Sequence, residues 1–168
     1  MILVDTHVVV WLAFDQDRLS KKARAAIDDA RQNADGLAIC DITLLELAAL
    51  FRKGRVRLEI SLESFLDEVE ARFVVLPISG RACARALALP AAYPKDPEDR
   101  IIGATALVEG MSLLTADREV REARVVSNNL VTLLHRYRLR QISRLIDVAP
   151  APDCDVISQQ LQRDDLQN

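Results

Sequence analysis

Four short apolar runs, each followed after an interval by the next, constrain this chain more than any other feature. ILV at 2–4 runs into Asp5, LAIC at 37–40 runs into Asp41, FVVLPI at 73–78 carries Pro77 near its end, and SLLT occupies 112–115. Apolar runs of this length, bounded by polar residues, read as fully buried strands. RVV at 124–126 is read as a fifth strand. The intervals have helical character. Residues 8–14 and 19–34 form two such segments, the second with a Ser20 cap and an alanine-rich interior. Asp41 and Thr43 open another through Leu50, 79–89 make a further one, and Asp96 and Pro97 start the last before SLLT. Strands that alternate with helices predict an α/β layer around a mainly parallel sheet.

A chain of 168 residues, half of them hydrophobic, has room for a sizeable core and most simply makes one domain. The formal net charge of −3 excludes a surface coated in positive charge but leaves room for a local basic groove. Cys40, Cys83 and Cys154 are odd in number and lack CxxC spacing, which points to a reduced, cytoplasmic protein. Asp5 interrupts the first apolar run and no basic segment precedes it, so no signal peptide is expected, and no stretch has the length of a membrane span. Residues 127–168 differ from the rest. VTLLHRYRLRQISRLIDV reads as an amphipathic helix with Arg136, Arg140 and Arg144 on one face, Pro150 and Pro152 break it, and QQLQRDDLQN is polar. The division expected is a domain over 1–126 and a C-terminal extension over 127–168, helical or partly disordered.

The acidic residues fall at related places. Asp5 directly follows ILV, Asp117 follows SLLT by two residues, Glu46 lies in the first turns of the helix after LAIC, and Asp99 lies in the first turn of the helix before SLLT. Ligands of open α/β sheets bind outside the carboxyl ends of the strands, where these acids would gather. Each acid also has a purely structural use. Asp5 and Asp117 suit N-caps, Glu46 suits a capping box with Thr43, and in PKDPEDRIIGATA Asp99 suits one with Asp96. Caps stabilise by about 1 kcal/mol each and have no reason to converge. If the four do converge, carboxylates about 4 Å apart repel by about 4 kcal/mol at an effective dielectric near 20. Such a group takes up protons or holds a cation. Oxygen-only ligands favour Mg²⁺ or Mn²⁺, and no nearby Cys/His set suggests zinc.

Four segments, LVDTHVVVWL at 3–12, ITLLELA at 42–48, KDPEDRIIGATA at 95–106 and LLTADREV at 113–120, resemble the PIN-domain family, and within it the VapC-type toxins of bacterial toxin–antitoxin pairs. They stand in family order and cover roughly residues 1–126. The resemblance implies a three-layer α/β/α PIN-like domain and a divalent-metal ribonuclease that leaves a 5′-phosphate and a 3′-hydroxyl. It puts the family's acids on Asp5, Glu46, Asp99 and Asp117, with Asp5, Asp99 and Asp117 as ligands of Mg²⁺ or Mn²⁺ and Glu46 completing the shell or orienting the attacking water. Thr115 matches the hydroxyl position beside the last acid, and Asp96 a common outer acid. The partners implied are an RNA substrate, a neutralising antitoxin and a second copy of the chain. Residues 127–168 lie outside the resemblance.

Other residues are weighed on their own chemistry. In HVVVWL, His7 is read as structural rather than as a substrate contact, and Trp11 as filling the core or a dimer face rather than stacking on a base. Arg52, Lys53, Arg55 and Arg57 make a basic cluster, either a solvated turn or a phosphate contact. Arg100 is expected to pair with a carboxylate, and Arg118 and Arg121 to be surface residues. Two other readings compete with the nuclease. A phosphatase with an Asp5 nucleophile is disfavoured because His7 stands where the haloacid dehalogenase pattern has a second Asp. A non-catalytic binding module would use the acids as caps only.

Overall fold

The computed structural model describes residues 1–33, 36–54 and 59–126. Four strands, β1 (Ile2–Val4), β2 (Leu37–Cys40), β3 (Val74–Leu76) and β4 (Ser112–Leu114), form a parallel sheet in the order β3-β2-β1-β4. The register pairs Leu3 with both Ala38 and Leu113, and Cys40 with Leu76. The central strands are buried along their whole length, as strands covered on both faces must be.

Among the described residues seven α-helices cover the sheet: α1 (Thr6–Phe14), α2 (Lys21–Gln32), α3 (Ile42–Arg52), α4 (Leu62–Arg72), α5 (Gly80–Leu87), α6 (Pro97–Val108) and α7 (Arg118–Glu122). The two-residue alternation of side chains along the strands sorts the core into two layers. Ile2, Val4, Leu37, Ile39 and Leu114 point to one face, against Val8, Val9, Ile27, Leu47, Phe65 and Val69 of α1 to α4. Leu3, Ala38, Cys40 and Leu113 point to the other, against Leu89, Tyr93, Ile102, Ala106 and Val120. This is the expected three-layer α/β/α arrangement.

The ends of the helices follow local rules. Ser20, Ser61 and Ser79 each accept a hydrogen bond from the third helical N–H, of Ala23, Ser64 and Ala82. α6 ends in a Schellman turn. Gly110, at φ +64°, sends its N–H to Leu107 O, and Met111 sends its own to Ala106 O at 2.8 Å. That turn drops the chain directly into β4.

Two sequence expectations are corrected. Residues 124–126 form no strand: Arg124 adopts φ +48° in a turn, and Val126 instead buries its side chain in the second core layer. Helix α4 was not anticipated, although Ser61 and the Phe65–Val69 spacing mark its cap and apolar face. The amphipathic helix and polar end expected within 127–168 lie outside the described residues, as do Arg55 and Arg57.

Candidate active site

Strand order places a topological switch at β1. The connection from β1 leads to β2 on one side, while β4 arrives on the other after the chain has crossed the sheet from β3. The crevice beyond the C-terminal ends of β1 and β4 is the natural ligand position of such a sheet. Asp5 and Thr115 are the residues immediately beyond those two strands. The Asp5 N–H is bound to Leu114 O at 3.0 Å, which fixes the two chain ends side by side.

Asp5 occupies the N-cap position of α1, and its carbonyl accepts from the N–H groups of Val8 and Val9, but its carboxylate caps nothing. The carboxylate accepts instead from the Thr115 hydroxyl at 2.5 Å, with the Asp5 residue 4% exposed. The same Thr115 oxygen accepts from the Asp117 N–H at 2.9 Å. One hydroxyl therefore ties the first acid to the last across the sheet switch. Asp117 does serve as a cap, as expected. Its Oδ1 accepts from the N–H groups of Glu119 and Val120.

Glu46 does not close a capping box with Thr43. Its Oε2 accepts from the Thr6 hydroxyl at 2.6 Å, and the Thr6 oxygen lies 3.2 Å from that of fully buried Thr43. Both hydroxyls are held between α1 and α3, so the network aims Glu46 toward Asp5. Asp41 heads α3 but does not cap it either: its carboxylate takes the Ile78 N–H at 3.1 Å and so secures the loop after β3.

Asp99 is the third residue of α6. The cap of that helix is Asp96, which accepts from the Glu98 N–H at 2.9 Å, and Pro97 fills the first position. No cap bond falls to Asp99, whose carboxyl instead lies within electrostatic reach of Asp5 and Asp117. Arg100 departs from expectation. It pairs with no carboxylate. Its guanidinium donates to three main-chain carbonyls, Ala86 O, Leu89 O and Pro94 O, at 3.0, 2.8 and 3.0 Å. It thereby clamps the chain between α5 and α6 onto the first turn that carries Asp99.

The electrostatics show that the acids act on one another. Burial pushes the Asp99 carboxyl up to about 7, reinforced by the charges of Asp5, Asp117, Asp96 and Glu46. Burial likewise raises Glu46 to about 7; the Thr6 hydrogen bond and the nearby His7 oppose the rise, while Asp5 and Glu98 add to it. Burial and the charges of Asp99, Asp5 and Asp117 also drive the Tyr93 phenol well above its ordinary value. Against this negative charge, the ion pairs among the described residues, Arg18–Asp15, Arg24–Asp17, Arg72–Glu68 and Arg118–Glu122, all lie at the surface and touch none of the four acids.

Among the described residues no three Asp, Glu, His or Cys side chains are gathered into a ready-made metal cage. The donor set nevertheless fits a hard cation. It is oxygen-only, it carries two carboxyls that burial and neighbouring carboxylates hold up at about 7, and both Asp5 and Asp117 keep one oxygen outside the hydrogen bonds described above.

Sequence reasoning missed Tyr93 and Glu98. Tyr93 is 1% exposed and sends its hydroxyl to Asp99 O at 3.4 Å. Glu98 is raised by its partial burial and by Asp96, with the charge of Lys53 opposing. His7 and Trp11 are half-buried on α1, and Trp11 packs on the first core layer, as expected.

Comparison with known proteins agrees with the fold. The PIN domain family model matches residues 2–126. The chain is 38% identical over 123 residues to Ribonuclease VapC22 of Mycobacterium tuberculosis, a match covering 73% of this chain and 92% of that protein. Two solved structures share the fold. A toxin–antitoxin complex from Klebsiella pneumoniae aligns with TM-score 0.53 at 21% identity, over 79% of this chain and 97% of that one. VapBC2 from Rickettsia felis, bound to a DNA fragment from its promoter, aligns with TM-score 0.57 at 17% identity, over 75% and 96%. The chain belongs to the PIN-domain family.

Proposed function

We propose that this chain is a ribonuclease toxin of the VapC type that depends on Mg²⁺ or Mn²⁺ and is neutralised by a partner antitoxin. The observation that carries the reading is the mutual effect of Asp5, Glu46, Asp99 and Asp117, four acids from separate elements that form no ion pair with Lys or Arg among the described residues. The name of the M. tuberculosis relative supports the ribonuclease class. The complexes among the fold neighbours support an antitoxin partner.

In this reading Asp5, Asp99 and Asp117 hold the ion. When bound, it supplies the positive charge that offsets the build-up on a phosphodiester and makes a water acidic enough to attack it. The chain's own residues do the rest. Thr115 keeps Asp5 and Asp117 in register. Thr6 holds Glu46 with one oxygen engaged, leaving the other to orient the attacking water and take its proton. Asp96 acts from outside by fixing the start of α6. Lys53, whose charge acts on Glu98 beside Asp99, is suited to an RNA phosphate. We assign the activity to residues 1–126, with 127–168 as an extension, in a cytoplasmic homodimer. The antitoxin is proposed to place a basic side chain among the acids, and an antitoxin complex with the crevice open and cleavage intact would remove that element.

The test is cleavage of total cellular RNA by the purified protein with Mn²⁺, with EDTA, and as Asp99→Asn. Discrete fragments with Mn²⁺ that vanish in both controls are expected. Because Asp96 and Asp117 do cap their helices, a non-catalytic module remains the competing reading, and it predicts no cleavage under any of the three conditions.

A further inference from the structure

We propose that Tyr93 is a positioning residue of the acid crevice, its phenol lodged in a slot that Gly103 leaves open beneath Asp99. This rests on the metal-site reading above and extends it to residues outside the motif. Gly103 follows Asp99 by four positions in α6, so the two share a face one turn apart. A helical Cβ tilts toward the N-terminus, so a side chain at 103 would point at the turn that holds Asp99. The Tyr93 hydroxyl occupies that place. A Cβ built on Gly103 would lie 2.0 Å from the phenol oxygen and 2.6 Å from Cζ, far inside the closest non-bonded approach of a Cβ.

What fills the slot is held from every side. The Tyr93 N–H bonds to Pro90 O at 3.0 Å, and its ring packs with Ile102 and Ala106 in the second core layer. Arg100 clamps Leu89 O and Pro94 O, on either side of Tyr93, to the same helix turn. The phenol hydroxyl donates to Asp99 O, the carbonyl that a regular α-helix also pairs with the N–H of Gly103. A buried tyrosine hydroxyl needs a partner, and this one takes the main chain of a proposed ligand. Groups that orient ligands in this way tune affinity without touching the ion.

The experiment measures Mn²⁺ binding by the electron paramagnetic resonance signal of free Mn²⁺, beside the melting temperature of the metal-free protein. It compares the full chain with Tyr93→Phe, Gly103→Ala and Asp99→Asn. Tyr93→Phe keeps the ring and the fold, and is expected to need about tenfold more Mn²⁺ for half-saturation. Gly103→Ala is expected to weaken Mn²⁺ at least as much and to lower the metal-free melting temperature. Binding by Tyr93→Phe within about twofold of the unmodified chain would overturn the proposal and leave Tyr93 as core filling only. If Asp99→Asn loses Mn²⁺ while Tyr93→Phe does not, the positioning role alone fails. If Asp99→Asn binds as well as the unmodified chain, the metal reading fails and takes this proposal with it.

Discussion

At the scale of single residues, the site depends on which carboxylates forgo a cap. Asp5 and Asp99 stand at or near helix starts where a side-chain cap would stabilise by about 1 kcal/mol, yet neither makes one. Glu46 shows the consequence most directly. Its carboxylate keeps one strong donor, the Thr6 hydroxyl, which holds its pKa down against burial. Thr6→Val is therefore expected to raise the Glu46 pKa above about 7 and move the rising limb of the activity–pH profile to higher pH, with Thr6→Ser close to the unmodified profile. An unchanged profile in Thr6→Val would take Glu46 out of the proton chemistry. The acids themselves were legible in the sequence because each abuts a strand or a helix start. The Thr6 partnership was not, since it spans forty residues and depends on α1 and α3 packing on the same face of the sheet.

At the scale of elements, α6 is the part that most needs fixing in place. Its start was readable from Asp96 and Pro97, because an N-cap and a first-turn proline act on their immediate neighbours. Its clamp was not. Arg100 follows a carboxylate in sequence and invites an ion-pair reading, but the guanidinium fits three carbonyls at the end of α5 and in the loop beyond it. Arg100→Met keeps the stem and removes the donors. It is expected to cost about 3 kcal/mol of stability, read as a lower urea midpoint, because buried carbonyls lose a charged partner. A midpoint unchanged from the original would mean that water replaces the clamp. The fifth strand failed as an expectation for a similar reason: RVV has strand-like residues, yet the turn at Arg124 sends Val126 into the core rather than to a sheet edge. The four true strands were legible because each sits between helices that must return to the same layer.

At the scale of the whole molecule, the sheet order brings the acids within electrostatic reach of one another, and the resulting charge couples folding to protons. Asp99 and Glu46 have ordinary values of 3.8 and 4.5 and are held up at about 7 in the fold. The folded chain therefore binds more protons than the unfolded chain between those limits. Their contribution to stability is fully present below about pH 4 and is lost as the pH rises through about 7. The divalent cation of the proposed function would act in the opposite sense, since it would need the carboxylates deprotonated and would bind the folded state alone. The three-layer architecture and the family were legible before any coordinates. The pH coupling was not, because it arises only where separate elements bring their charges together.

The most direct test of that convergence is the melting temperature at about pH 8 and about pH 5, with and without Mn²⁺, for the unmodified chain and for Asp99→Asn. The account predicts that Mn²⁺ raises the melting temperature at the higher pH, by the equivalent of about 2.7 kcal/mol at a concentration a hundredfold above Kd. It predicts that this rise shrinks sharply at the lower pH and is lost in Asp99→Asn. An equal response in both proteins, or none in either at about pH 8, would contradict it and return the four acids to separate structural duties.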